Sequence, residues 1–156
     1  MSLQIRTAYD EPDKVRELFV EYQTTMGLDL RFQNFNDELA NLPGKYAEPL
    51  GRLYIATYDG NLAGCIAIRA IDEESCEMKR MFVREAFRRL GIGRALAEQV
   101  IRDAKSIGYA RIILDTASTM REAISLYRKL GFVDIEPYYN NPNDGIVYLG
   151  LALGGK

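Results

Sequence analysis

The stretch Arg84-Glu85-Ala86-Phe87-Arg88-Arg89-Leu90-Gly91-Ile92-Gly93-Arg94 lies where one periodicity gives way to another. Before it, Cys76 to Val83 has the length and make-up of a strand. After it, Ile92, Leu96, Val100, Ala104 and Ile107 recur four or three apart, which predicts a helix from about Gly91 to Ile107 with Gly108 as its stop. A strand that hands over to a helix this abruptly gathers free main-chain N–H groups and the positive end of the helix dipole, a setting that suits a phosphate. Gly91 and Gly93 let the backbone approach a bulky anion, and Arg84, Arg88, Arg89 and Arg94 add local positive charge. A plainer reading of the same residues also stands: the glycines make a tight turn and the arginines solvate it. Two familiar phosphate motifs are excluded. A dinucleotide fingerprint needs glycine where Leu96 stands, and a P-loop needs Gly-Lys-Ser/Thr where the chain has Gly93-Arg94-Ala95.

Working outward, Gln4 to Ala8 reads as a short strand. Asp10 and Pro12 then mark a helix start, and Val15, Leu18, Phe19, Tyr22 and Met26 recur at helical spacing up to Gly27. A shorter helix is expected from Asn36, with Leu39 and Leu42 on one face and Pro43-Gly44 as its end. Arg52 to Tyr58 and Leu62 to Ile71 flank Asp59-Gly60-Asn61 and form a hairpin, and Cys76 to Val83 follows as a third strand. Ala110 to Asp115 is a compact apolar strand suited to a central position, and Ala123, Leu126, Tyr127 and Leu130 define a helix closed by Gly131. Phe132 to Tyr138 and Ile146 to Leu153 read as a final antiparallel pair. The order is β-α-α-β-β-β-α-β-α-β-β: a mixed α/β sandwich, with one right-handed parallel crossover in an otherwise antiparallel sheet.

Composition narrows the chemistry. The 156 residues correspond to a single domain spanning residues 1–156, since about 150 residues is typical of one domain. A hydrophobic fraction of 47% and a charged fraction of 27% are those of a globular chain. A net charge of −2 offers no global field for nucleic acid or anionic lipid, and only Phe87 interleaves with the arginine cluster. The longest apolar run, Ile146 to Leu153, is too short to span a bilayer, and no signal peptide is evident. Neither nucleic acid nor a membrane is therefore an expected partner. Cys65 and Cys76 cannot build a disulfide framework, which fits a reducing cytoplasm, and both read as strand packing residues. With no histidine, Ser-His-Asp and Cys-His nucleophile systems and His-based zinc sites are excluded. No metal is expected, and proton transfer falls to Asp, Glu, Tyr, Lys, Cys, water or the substrate.

Arg88-x-x-Gly91-x-Gly93 opening a helix after a strand resembles the pyrophosphate-binding signature of the GNAT superfamily of N-acetyltransferases. The resemblance extends through Leu114-Asp115-Thr116, Ala123 and Leu126-Tyr127-Arg128-Lys129-Leu130-Gly131-Phe132, and to the order of the elements. The segment Phe35 to Pro49 is similar to that of a group of small bacterial members.

The resemblance implies acetyl-CoA as co-substrate and a primary amine as acceptor, attacking the thioester directly in a ternary complex. It implies that main-chain groups of Met81, Phe82 and Val83 pair with the pantetheine amides. The amides of Arg89, Leu90, Gly91, Ile92, Gly93 and Arg94 would then hold the pyrophosphate, with Arg84 and Arg88 as outer contacts. Tyr127 matches the family's proton donor to the departing thiolate; its stripe with Ala123 and Leu130 also fits a core aromatic. Glu77 stands where some members place a general base; a salt-bridged glutamate beside Lys79 and Arg80 is the other reading. Alternation puts Glu77, Lys79 and Met81 on one face and Cys76, Met78, Arg80 and Phe82 on the other. Asp115-Thr116 is expected to cap or turn the chain. Tyr138, Tyr139 and Tyr148 either line the acceptor cleft or pair across two strands. Glu21, Asp29, Asp37 and Glu38 either favour a cationic acceptor or are solvated helix faces. A non-catalytic acyl-CoA sensor is the alternative function, and both monomer and homodimer remain open.

Overall fold

The turn at Asp59-Gly60 sets the register of the sheet. It joins β2 (Arg52–Tyr58) to β3 (Asn61–Ala70), and Asn61 already pairs with Tyr58, so the loop is one residue shorter than the sequence suggests. The computed structural model describes residues 2–27, 30 and 34–154. Around this hairpin run β1 (Leu3–Thr7), α1 (Pro12–Met26), α2 (Phe35–Ala40) and a 3-10 turn at Gly44–Tyr46. Beyond it come β4 (Ser75–Val83), a 3-10 turn at Glu85–Phe87, α3 (Ile92–Ile107), β5 (Arg111–Ala117), α4 (Arg121–Lys129), β6 (Val133–Asp134) and β7 (Ile146–Ala152). The strands lie in the order β1-β2-β3-β4-β5-β7-β6, and every neighbouring pair is antiparallel except β4 and β5. The order of elements and the α3 crossover are those expected from the sequence.

Two apolar layers hold the sandwich together. On one face, Val15, Leu18 and Phe19 of α1 pack on Leu53, Ile55, Cys65 and Ala67. On the other, Leu96, Val100 and Ala104 of α3 pack on Ile66, Ile68, Ile112 and Leu114. Burying each large apolar side chain contributes roughly 1.5–3 kcal/mol, so both stripes stabilise the sheet strongly. The two free cysteines are buried on opposite faces, and burial pushes both thiols up, Cys76 to about 12, so both pack rather than react.

Several boundaries depart from the sequence reading. Glu11, not Asp10, occupies the cap position of α1, and its carboxylate pairs with Arg6 and Lys14 instead of capping. Leu42 lies beyond the end of α2. Asp115 and Thr116 neither cap nor turn; they stay in β5, paired with Tyr148 and Val147 of β7. The final hairpin shrinks, because β6 pairs only at Val133 and Asp134, with one further bond from the Ile135 N–H to the Tyr148 carbonyl. Pro137 has no N–H to continue the ladder.

The feature that positions the site is a fork. β4 pairs with β5 only at Ser75, Cys76 and Glu77, although β4 runs on to Val83 and β5 to Ala117. Each strand keeps its outer partner, β3 and β7 respectively, so the sheet splits lengthwise. The cause lies in β4. Between the pairs Ala67–Lys79 and Cys65–Phe82, two residues of β4 face one of β3, and Arg80 takes φ +60°. Such a bulge bends the strand and raises its twist. It also reverses the alternation: Cys76 and Met78 share the α3 side with Met81 and Val83, whereas Phe82 joins the α1 side. The expected grouping of Met81 with Glu77 and of Phe82 with Cys76 therefore fails past Lys79.

A left-handed arginine costs of order 1–3 kcal/mol, and its surroundings offset that cost. Glu38 accepts from Arg80 Nε and Nη2 at 3.0 and 2.8 Å, and the guanidinium lies over the rings of Tyr22 and Phe35 at 5.7 and 5.3 Å. Across from the bulge, a Cβ on Gly64 would come within 2.5 Å of the Phe82 carbonyl oxygen. Gly64→Ala is expected to destabilise the fold by about 1–3 kcal/mol, the usual range for overpacking, measured by urea unfolding at constant slope.

Candidate active site

Between β4 and α3 the backbone makes two left-handed steps, at Arg89 (φ +67°) and Gly91 (φ +82°). Gly91 occupies the cap position of α3 and supplies no side-chain acceptor. The first helical bond runs from the Ala95 N–H to the Gly91 carbonyl, and among the described residues the N–H groups of Arg89 to Arg94 have no backbone carbonyl partner. These donors form a concave nest at a helix N-terminus, the arrangement that binds phosphate oxygens. A Cβ at Gly93 would meet nothing closer than Leu126 at 3.7 Å, so packing does not demand glycine there.

The arginines divide. Arg88 Nε donates to the Val83 carbonyl at 3.0 Å, Arg89 reaches Glu122 at 3.3 Å, and Arg94 pairs with Glu98 at 3.0 Å. All three side chains are exposed around the loop. Arg84 does not join them. It is held by Glu17 and Glu21 of α1 and by the Leu62 carbonyl, so it ties α1 to the end of β4 and is not free for an outer phosphate contact. The same pairings occupy Glu21.

From this loop the fork leads inward. The edge of β4 that faces β5 has no strand partner beyond Glu77, and Met78 to Met81 line a cleft there, whereas Phe82 and Val83 do not line it and the Val83 carbonyl accepts from Arg88. Met81, Leu114, Thr116 and Tyr127 line this cleft. The Phe82 side chain turns to the α1 core and the Val83 side chain to the α3 layer. Tyr127 sits on α4 and is buried, its hydroxyl 3.9 Å from Met81 Sδ and its ring 5.6 Å from that of Phe132. Burial raises its pKa well above the ordinary phenol value, so the hydroxyl stays protonated and able to donate at any physiological pH. Tyr127 is thus both a core aromatic and a wall of the cleft.

A larger cavity of about 530 Å³ opens between α2, the Gly44–Tyr46 turn and the β3–β4 ladder. Glu77 is 1% exposed and lies in its wall. Arg69, directly across the ladder, donates to Oε1 at 2.9 Å, Tyr138 donates to Oε2 at 2.6 Å, and Lys79 Nζ is 3.8 Å from Oε1. Glu77 is therefore salt-bridged and also faces a cleft. Lys79, 8% exposed, has its pKa pushed down to about 8, first by burial and then by Arg80. Lys79 and Arg80 line both cavities and form the partition between them.

The loop from 135 to 145 closes one side. Tyr138 and Tyr139 pack edge-on against Tyr148 of β7, with ring centroids 5.6 and 6.1 Å away. Tyr139 donates to Asp115, Asn141 Nδ2 reaches the same oxygen at 2.9 Å, and Tyr148 donates to the Tyr139 carbonyl at 3.0 Å. Tyr138 and Tyr139 lie in this loop and not on a strand, so the three tyrosines are no cross-strand pair; Tyr139 lines the larger cavity. Of the acidic residues considered for a cationic acceptor, Glu38 is consumed by Arg80, Asp37 lines the larger cavity, and Asp29 lies outside the described residues.

Sequence reasoning missed Arg69, the Tyr138–Glu77 bond and the Glu38–Arg80 pair. The signal for Arg69 was present: the short connection between β3 and β4 places Arg69 opposite Glu77, an opposite-charge cross-strand pair. Nothing local announces the other two, which join residues 61 and 42 positions apart.

Comparison with known proteins agrees with this geometry. Residues 13–132 match the acetyltransferase (GNAT) family. An uncharacterised N-acetyltransferase of Dictyostelium discoideum is 36% identical over 98% of this chain and 100% of its own length. A Staphylococcus aureus GNAT-family acetyltransferase structure superposes with a TM-score of 0.81 at 22% identity, covering 97% of this chain and 99% of its own. A Salmonella typhimurium protein described as an acetyltransferase, solved with its cofactor acetyl-CoA, gives a TM-score of 0.73 at 18% identity over 100% of this chain and 96% of its own. The chain belongs to the GNAT family of N-acetyltransferases, enzymes that draw their acetyl group from acetyl-CoA.

Proposed function

We propose that this enzyme transfers the acetyl group of acetyl-CoA to a primary amine by direct attack in a ternary complex, in the cytoplasm, a setting that two free thiols suit. One observation supports the reading: past Glu77, β4 leaves β5, and Met78 to Met81 share a cleft with Tyr127 on the strand that leads to the α3 loop. In this reading the amides of Arg89 to Arg94 bind the pyrophosphate, flanked by Arg88, Arg89 and Arg94. Main-chain groups of Met81, Phe82 and Val83 bind the pantetheine, which directs the thioester toward Tyr127. The amine enters through the larger cavity and meets the thioester at the Lys79–Arg80 partition. No metal takes part.

The chemistry asks mainly for alignment. The amine nitrogen forms a bond to the thioester carbon, the C–S bond breaks, and the sulfur takes a proton from Tyr127. Glu77 collects the proton lost by the amine through intervening water. Among the described residues its Oε2 accepts only from Tyr138, an oxygen with room for a second donor, while Arg69 and Tyr138 hold the carboxylate in place. Orienting two reactants supplies roughly 7–11 kcal/mol, more than either proton transfer, so binding contacts outweigh any single acid or base.

Calorimetry with CoA and acetyl-CoA tests the donor site, and thiol release over an amine panel tests transfer; uptake without release for any amine would indicate a sensor. Tyr127→Phe is expected to keep the fold and coenzyme affinity while lowering turnover at least about tenfold, and unchanged turnover removes Tyr127 from the mechanism. Glu77→Gln is expected to weaken activity most at low pH, where nearly all the amine arrives protonated, with the defect shrinking as pH approaches the amine's own pKa. A loss that is uniform with pH would mark Glu77 as structural only. Gly93→Ala separates the two readings of the loop. It is expected to raise stability by about 0.5–1 kcal/mol, because a helical glycine is replaced where space exists, yet to weaken coenzyme binding about tenfold or more. Unaltered binding would return the glycines to a turn-making role.

A further inference from the structure

The larger cavity has a sign. Among the described residues that line it, Lys45, Arg69, Lys79 and Arg80 stand against Asp37, Glu38 and Glu77, in a chain whose net charge is −2. The deep part is more one-sided than this count. Arg80 and Glu38 close on each other in a two-point pair, so neither carries net charge toward the cavity. Asp37 and Lys45 are exposed at the rim, where solvent screens them. Among the described residues that line the cavity, those at depth are Arg69 and Lys79 around one carboxylate, Glu77, to which the Tyr138 hydroxyl also donates; Asp115, in the wall of the neighbouring cleft, acts on Lys79 as well.

Arg69 is built to take a second anion. Its Nε and Nη2 share the single oxygen Oε1 of Glu77, and the side chain is 27% exposed toward the cavity. A guanidinium carries five N–H donors in a fixed plane, so the fork that is not turned to Glu77 remains for an oxygen pair. Lys79 lies close by, mostly withdrawn from water, where an added negative charge favours its ammonium form. It is also part of the wall shared with the cleft that holds Tyr127.

We propose that the acceptor is an amine that also bears a carboxylate, an amino acid or a compound of that type, and that Arg69 and Lys79 bind the carboxylate. This rests on the reading of the larger cavity as the acceptor site. A polyamine or aminoglycoside would bring only positive charge to a wall that already holds the partly buried cations Arg69 and Lys79, whereas a carboxylate brings the opposite charge to them. With its carboxylate on Arg69 and Lys79, such a molecule has its nitrogen beside the partition across which the acetyl group must pass. Arg69 and Lys79 are then specificity residues, distinct in role from Tyr127 and Glu77.

The test is thiol release by the intact chain with acetyl-CoA over three sets of amines: the protein amino acids, their α-amides, and putrescine, spermidine and kanamycin. The best acceptor is expected to carry a carboxylate, and conversion of that carboxylate to an amide to lower kcat/KM at least about tenfold. Because Arg69 also holds Glu77, Arg69→Gln is expected to lower kcat for acid and amide alike, and the readout is the preference: KM for the acid rises at least about tenfold more than KM for the amide. Arg69→Lys should restore part of that preference. Lys79→Met, which leaves the Arg69–Glu77 pair in place, gives the same reading where loss of Arg69 disturbs the fold. Equal or better use of amides or polyamines would overturn the proposal, as would calorimetry showing that none of the amino acids binds the coenzyme-loaded protein. Failure of CoA itself to bind is a separate result, which removes the donor site and not merely the acceptor class.

Discussion

The two-point pair between Arg80 and Glu38 holds the whole site in shape. Arg80 is the left-handed residue at the centre of the β4 bulge, and Glu38 reaches it from α2. Without a partner, an arginine this deeply buried would cost several kcal/mol, and the bulge would have no reason to keep its strained backbone. With it, β4 turns away from β5 after Glu77, and the fork follows. The cleft beside Tyr127 and the larger cavity lie on either side of the stretch of β4 that diverges. A regular parallel ladder from Ser75 to Val83 would close the cleft.

The bulge also explains which parts of the protein could be read from its sequence. Periods of two and near four are local properties, so the order of strands and helices was legible, as was the loop from Arg88 to Gly93. Tyr127 stood out through the residues around it, and the hairpin through its turn. Alternation along β4 was legible only as far as Lys79, because an inserted residue leaves the composition of a strand unchanged while reversing every side chain beyond it. Arg84 illustrates a second limit. Its charge made it a candidate for the phosphate, but charge does not reveal that Glu17 and Glu21 of a distant helix face it. Glu77 was open between two roles for a similar reason, and its partners Arg69 and Tyr138 come from another strand and from a loop.

The two cavities differ in the way they would select a ligand. In the proposed reading the donor side offers main-chain N–H groups and a strand edge without a strand partner, groups that every sequence possesses, aimed by glycine and by the break in pairing. The acceptor side offers side chains, and their charges are nearly balanced, so the replacement of one residue alters its sign. Chains of this fold can therefore keep one donor while changing what they modify, since the features that fix the first lie in the backbone and those that fix the second do not.

Tyr138 and Tyr139 are neighbours in the chain, yet the first is tied to Glu77 on β4 and the second to Asp115 on β5. A single peptide unit thus bridges the two strands at the point where they part. Its length is fixed, so it acts as a spacer that limits how far the jaws of the sheet can gape. Any widening of one cavity to admit a bulkier acyl chain pulls directly on the wall of the other.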